Sequence, residues 1–195
     1  MPDIADFADP DYLLRGSVLQ QEVYDLLRGL RITEVLAAYH PLLAGTVPLG
    51  IQVEGSDLDI ICEVHDHVRF TAEARSYFGD REGFSAITRI VQGIVRTKIN
   101  FVAGGWPVEL FGQPRPTLRQ NGYLHMVVEW RILNMLGAGF REAVIELKRG
   151  GMKTEPAFAR LLHLEGDPYE ALLNLGTLTP EELNSVCSKV YPYIY

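Results

Sequence analysis

The chain has 195 residues, with 25 acidic against 18 basic side chains and a formal charge of −7. A protein that coats duplex nucleic acid carries a clustered basic footprint; here acidic residues run through the whole chain, which argues against extended nucleic-acid binding. At 47% hydrophobic, 10% aromatic and 22% charged residues, the composition excludes a disordered or fibrous protein and leaves room for a sizeable core.

The two cysteines, Cys62 and Cys187, are too few for a disulfide framework, which fits a reducing compartment. The N-terminal MPDIADFADPDYLL lacks the charged region and apolar core of a signal peptide, and no apolar stretch reaches the ~18 residues needed to span a bilayer. The expectation is a soluble cytoplasmic protein.

In chain order, Ser17-Val18-Leu19-Gln20 reads as a capping box, followed by Leu19, Val23, Leu26, Leu27 and Leu30 at helical spacing. Thr33 can cap a second short helix through Tyr39, ended by the His40-Pro41 step. Leu42 to Ala44 reads as a short strand, Gly45 to Gly50 as a tight irregular loop, and Ile51 to Val53 as more extended chain. After the turn Glu54-Gly55-Ser56 comes a strand from Asp57 to Val64. Asp66 can cap a helix in which Phe70, Ala74, Tyr77 and Phe78 recur at helical spacing. From Phe84 the pattern is extended, with Ile87 to Val91, Val95 to Phe101 and, after Ala103-Gly104-Gly105, Trp106 to Phe111, a meander of antiparallel strands.

After Pro116 the chain turns helical: a long apolar helix from about Leu118 to Leu136, another from Phe140 to Arg149, and starts at Thr154, Asp167 and Thr179, the last with Glu182 three residues on. The fold class is α+β: a mixed or antiparallel sheet flanked by helices in residues 1–115, with a helical region over 116–195 packed on it.

The chemistry gathers in Gly45-Thr46, Asp57-Leu58-Asp59 and Glu109. Alternate strand residues face the same way about 6.6 Å apart, so Asp57 and Asp59 share a face. If the strand of Pro107, Glu109 and Phe111 lies alongside, Glu109 completes an oxygen-rich set of the kind that holds Mg²⁺ with substrate phosphates. The same Ser-Asp-Leu-Asp step also suits an ordinary Asx-type turn with Asp59 on a solvated strand face.

This pattern resembles the polymerase-β-like nucleotidyltransferase superfamily, marked by a Gly-Ser or Gly-Gly after a short strand, then Asp-x-Asp, then an acidic residue on a neighbouring strand. More narrowly, GTVPLGIQVEGSDLDIICEV, VELFGQ, HMVVEWRIL and GGMKTEPAFARLL together resemble a bacterial family, a domain of unknown function, placed in that superfamily. The resemblance implies transfer of a nucleoside monophosphate from a nucleoside triphosphate to a hydroxyl with two Mg²⁺ (or Mn²⁺) ions: one held with the triphosphate by Asp57 and Asp59, the other bridging those carboxylates and Glu109 to the acceptor, with Glu109 as base. It also implies that Gly45 lets the backbone approach the phosphates and that Thr46 offers its hydroxyl and amide to them, with Ser56 a further nucleotide-binding residue. Thr46 stands where the superfamily more often has serine, which adds a methyl group.

Lys153, just before a helix start, is a further phosphate-binding candidate, weighed against a plain helix cap. Arg119 and Lys148 have weaker cases. His125 and Glu129, four apart on the long helix with Arg131 nearby, read as a satisfied polar face. Cys62, His65 and His67 suggest zinc only superficially, since Cys62 alternates away from the aspartates and no fourth ligand is evident. Trp106, Tyr123 and Trp130 read as core rather than as base-stacking residues. The net charge favours a small-molecule or protein acceptor over RNA, and the same superfamily leaves room for a protein partner in a toxin and antitoxin or defence system. Two other classes compete: a nucleotide-binding or regulatory module that turns nothing over, and a structural helical domain with a decorated sheet.

Overall fold

A computed structural model describes residues 7–189. The chain divides into two compact units, one of residues 7–50 and 55–120, the other of residues 51–54 and 121–189.

The first unit opens with a 3-10 turn, Pro10–Arg15, and helix α1, Val18–Gly29, whose expected capping box is present: Ser17 accepts from the Gln20 amide while the Gln20 side chain accepts from the Ser17 amide. The short helix α2, Ile32–Val35, begins one residue before Thr33 rather than after it. Arg31, one residue past the Leu30 C-cap of α1, takes up the left-handed conformation (φ 55°) and serves as the N-cap with no side-chain bond, and the segment finishes as a 3-10 turn, Ala37–Tyr39. Strand β1, Leu42–Ala44, follows. The expected irregular loop is a helical turn, α3, Thr46–Leu49; Pro48 fits there because the first turn of a helix needs no N–H donor from it.

Strand β2, Leu58–Glu63, leads to helix α4, His67–Phe78, capped by Asp66 as expected, and then to β3, Ser85–Val91, β4, Ile94–Ala103, and β5, Trp106–Gln113. The sheet order is β1-β2-β5-β4-β3. The meander expected from the sequence is present, because two-residue turns join its strands. Gln92-Gly93 (φ 53° and 77°) and Gly104-Gly105 (φ 57° and 81°) have positive φ at both central positions, the geometry that matches the twist of a tight hairpin. β5 then lies parallel to β2, while every other pairing is antiparallel.

One face of this sheet is apolar. Leu58, Ile60, Cys62, Ile99, Phe101, Val108 and Leu110 are each at most 2% exposed, as are Phe70, Ala74 and Phe78 of α4. Phe78 stacks on Phe101 at 4.8 Å between ring centroids. Alternation therefore sends Asp59 and Glu109 to the other face.

In the second unit, helix α5 runs from Asn121 to Arg149 and is broken at Gly137 (φ 75°, ψ −157°), where the sequence predicts two helices. It starts at Asn121 rather than at Leu118, since Thr117–Arg119 forms a 3-10 turn and Gln120 is extended. Helix α6, Thr154–Leu161, takes Lys153 as its N-cap with no side-chain bond; Thr154, the expected cap, is instead the first helical residue. Helices α7, Pro168–Gly176, and α8, Pro180–Ser188, begin at Asp167 and at the Thr179–Glu182 capping box, as the sequence predicts. Phe140 and Phe158 meet edge to face at 5.5 Å in this unit's core, beside buried Val128, Ile132, Val144, Leu172 and Leu183. No helix among the described residues is long and apolar enough to cross a membrane.

Candidate metal centre

The parallel pairing of β2 with β5 sets Asp59 directly opposite Glu109. Asp57 stands just ahead of β2, and one carboxylate oxygen from each of Asp57, Asp59 and Glu109 lies within 4.8 Å of the other two. Asp57 is exposed, and Asp59 and Glu109 are half-buried, so the three open to solvent from a sheet face whose reverse is core. Around an octahedral Mg²⁺ the bound oxygens stand about 3 Å apart when adjacent and about 4.2 Å when opposite, so a shared ion would draw these three carboxylates inward. Hard oxygen donors in this number and spacing fit a hard divalent cation.

Gly45 closes one side. Its backbone (φ 80°, ψ −146°) lies in a region essentially reserved for glycine, and a Cβ built there would stand 2.5 Å from Oδ2 of Asp59. Thr46 follows as the first residue of α3, and half-buried Ser56 immediately precedes Asp57. Lys153 belongs to the second unit.

A residue that the sequence reading passed over stands at the centre. Nζ of Lys98, on β4, pairs with Oε2 of Glu109. Asn100 is the partner of Glu109 across the strands, and Lys98, two residues earlier, shares its face. The hydrogen bond to Glu109, with the charges of Glu109, Asp57 and Asp59 behind it and desolvation opposing, holds the Lys98 ammonium above the usual lysine range. Lys98 thus feels all three carboxylates.

The zinc set stays apart. Cys62 is fully buried on the opposite face with its thiol pushed up by desolvation, His65 pairs with Glu63, and Nδ1 of His67 meets Oγ1 of Thr97 at 2.8 Å.

The second unit carries a buried polar group of its own. His125 and Glu129, expected as a satisfied polar face, are buried, at 7% and 4% exposure. His125 meets the Tyr169 carbonyl through Nε2 at 3.0 Å and Glu155 through Nδ1 at 3.6 Å, and Lys148 donates to the Ile51 carbonyl at 2.8 Å. Burial first, and the Glu155 charge second, push the Glu129 carboxyl well above its usual 4.5, against the opposing pull of Lys148. A carboxyl raised by folding stabilises fully below its unfolded pKa, and its contribution shrinks as pH rises above that value until the folded carboxyl ionises. Glu129→Gln is therefore expected to flatten the decline of stability as pH rises above the ordinary carboxylate range, measured by urea unfolding at each pH; an unchanged slope would contradict the assignment.

The five-stranded mixed sheet flanked by helices is similar to nucleotidyltransferase folds. Among solved structures, the chain is similar to the Cid1 poly(U) polymerase bound to MgATP (13% identity, TM-score 0.50, over 80% of this chain and 48% of that one) and to the same polymerase with Mg 3'-dATP (13%, 0.50, 85% and 53%). It is also similar to the polymerase core of TRAMP, an RNA surveillance complex (14%, 0.50, 97% and 62%). The chain thus spans about half to three-fifths of the length of these polymerases. No curated protein matches it. Residues 25–175 match the family described as domain of unknown function DUF4269, and the chain belongs to that family.

Proposed function

We propose that this protein is a nucleotidyltransferase that moves a nucleoside monophosphate from a nucleoside triphosphate to a hydroxyl of an acceptor. The observation that carries the reading is the meeting of Asp57, Asp59 and Glu109 beside the Gly45 turn. These three residues would hold Mg²⁺ or Mn²⁺, which when bound lowers the pKa of the attacking hydroxyl and offsets charge on the phosphates. Glu109 takes the proton of the acceptor hydroxyl as its oxygen attacks the α-phosphorus; the new P–O bond replaces the bond to the β-phosphate oxygen, and pyrophosphate leaves. Gly45 keeps the backbone free of a side chain where the phosphates approach, and Thr46 and Ser56 offer hydroxyl donors to them. Two reduced cysteines fit action in the cytoplasm.

The fold's likeness to polymerases crystallised with Mg-nucleotides supports the reading. The test is thermal unfolding with ATP, GTP, CTP and UTP, each with and without Mg²⁺. A Mg²⁺-dependent rise for at least one nucleotide is expected, since a ligand of the folded state stabilises by RT ln(1 + [L]/Kd); no rise with any of the four would contradict it. A module that only binds would show the same rise without pyrophosphate release once acceptors are supplied.

A further inference from the structure

Lys98 lies outside the acidic pattern that marks the site, yet it is the cation the carboxylates face. Its side chain is about half exposed (53%), while that of Glu109 is only 16% exposed, so the ammonium reaches in from solvent to a carboxylate fixed in the sheet. On the same strand and face, Arg96 follows two residues away, and Arg89 of β3 stands directly opposite Arg96. Like charges opposed across strands repel, and Nε of Arg96 is buried with no hydrogen-bond partner. In a chain of net charge −7, positive charge is thus gathered on the face that carries the three carboxylates, running from Lys98 toward the sheet edge.

A divalent ion and an ammonium compete for the same oxygen of Glu109. When the ion takes that oxygen, Lys98 loses its partner within reach of whatever else the ion holds. We propose that Lys98 is a phosphate-binding residue that is handed over: it neutralises Glu109 until a divalent cation arrives and then pairs with the phosphate oxygens of the nucleoside triphosphate, with Arg96 next along the face. This rests on the metal-centre reading above and adds to it an ordered exchange of partners.

The experiment is a titration of nucleotide-free protein with Mn²⁺, followed by calorimetric titration with Mg-nucleotide, for the wild type, Lys98→Met and Lys98→Arg. Removing the competitor is expected to tighten Mn²⁺ binding of Lys98→Met roughly threefold to tenfold while weakening Mg-nucleotide binding on the order of tenfold; Lys98→Arg is expected to stay near the wild type on both. Mn²⁺ affinity unchanged or weakened in Lys98→Met overturns the competition, and unchanged nucleotide affinity overturns the handover. Mn²⁺ binding confined to Lys98→Met supports the exchange, whereas none in any of the three proteins overturns both this inference and the metal centre. Melting temperatures within a few degrees of one another keep these comparisons free of misfolding.

Discussion

Asp59→Asn is expected to abolish Mg²⁺-dependent nucleotide binding and to lower any transfer rate on the order of a thousand-fold while leaving the fold intact. Asp59 is the middle member of the group: it faces Glu109 across the parallel pair, follows Asp57 by one strand repeat, and lies against the Gly45 turn. Asparagine keeps the shape and removes the charge. Losing one of three anionic ligands costs several kcal/mol of the charge stabilisation that a metal supplies, and about 1.4 kcal/mol is a factor of ten in rate. Stability changes little, since the repulsion from Asp57 and Glu109 that asparagine relieves is offset by the lost attraction to Lys98. The expected melting temperature is close to that of the wild type. A large fall would mean that Asp59 holds the fold rather than a ligand.

Gly45→Ala is the second large effect, and it combines backbone and site. A side chain at φ 80°, ψ −146° costs about 1–3 kcal/mol, and the new methyl would meet Oδ2 of Asp59 at 2.5 Å, so Asp59 or the turn must shift. At ~2–4 °C per kcal/mol for a chain of this size, a drop of several degrees is expected, together with a loss of nucleotide binding on the order of a hundred-fold. Gly55→Ala is the matched control: it too has positive φ (81°), but its Cβ would meet nothing within 4 Å. Loss of stability in both variants with loss of binding only in Gly45→Ala is the expected pattern. Equal loss of binding in both would assign Gly45 a purely conformational role.

Much of this was legible in the residues. Period-two alternation from Asp57 to Val64 put both aspartates on one face and Cys62 on the other, and the Gly104-Gly105 turn marked the hairpin. Capping chemistry located α1, α4, α7 and α8, since Ser17, Asp66, Asp167 and Thr179 each accept from amides one turn on. What failed was shorter-range. Thr46–Leu49 is one helical turn, too brief to leave a periodic signal, and at Arg31 a left-handed residue placed the start of α2 where no capping residue announces it.

Lys98 was missed for a different reason. Acidic motifs are read along the chain, whereas Lys98 comes to Glu109 only through the pairing of β4 with β5. The signal was nonetheless present: a two-residue turn at Gly104-Gly105 pairs Ala103 with Trp106, and counting outward pairs Asn100 with Glu109 and sets Lys98 on the same face. That the polar face of His125 and Glu129 is buried was not legible, because helical spacing shows that two residues share a face without showing what covers it; Lys148 lies beyond the Gly137 break, and Glu155 and Tyr169 come from other segments.

The central claim is that Asp57, Asp59 and Glu109 are ligands of a divalent cation that carries a nucleoside triphosphate. Its most direct test is a crystal of the wild-type protein grown with Mn²⁺ and a non-hydrolysable nucleoside triphosphate, with anomalous scattering measured at the manganese edge. The predicted result is a manganese peak at about 2.2 Å from oxygens of these carboxylates and of the phosphates. Nucleotide bound elsewhere, or these carboxylates free of manganese with Lys98 still on Glu109, would contradict it.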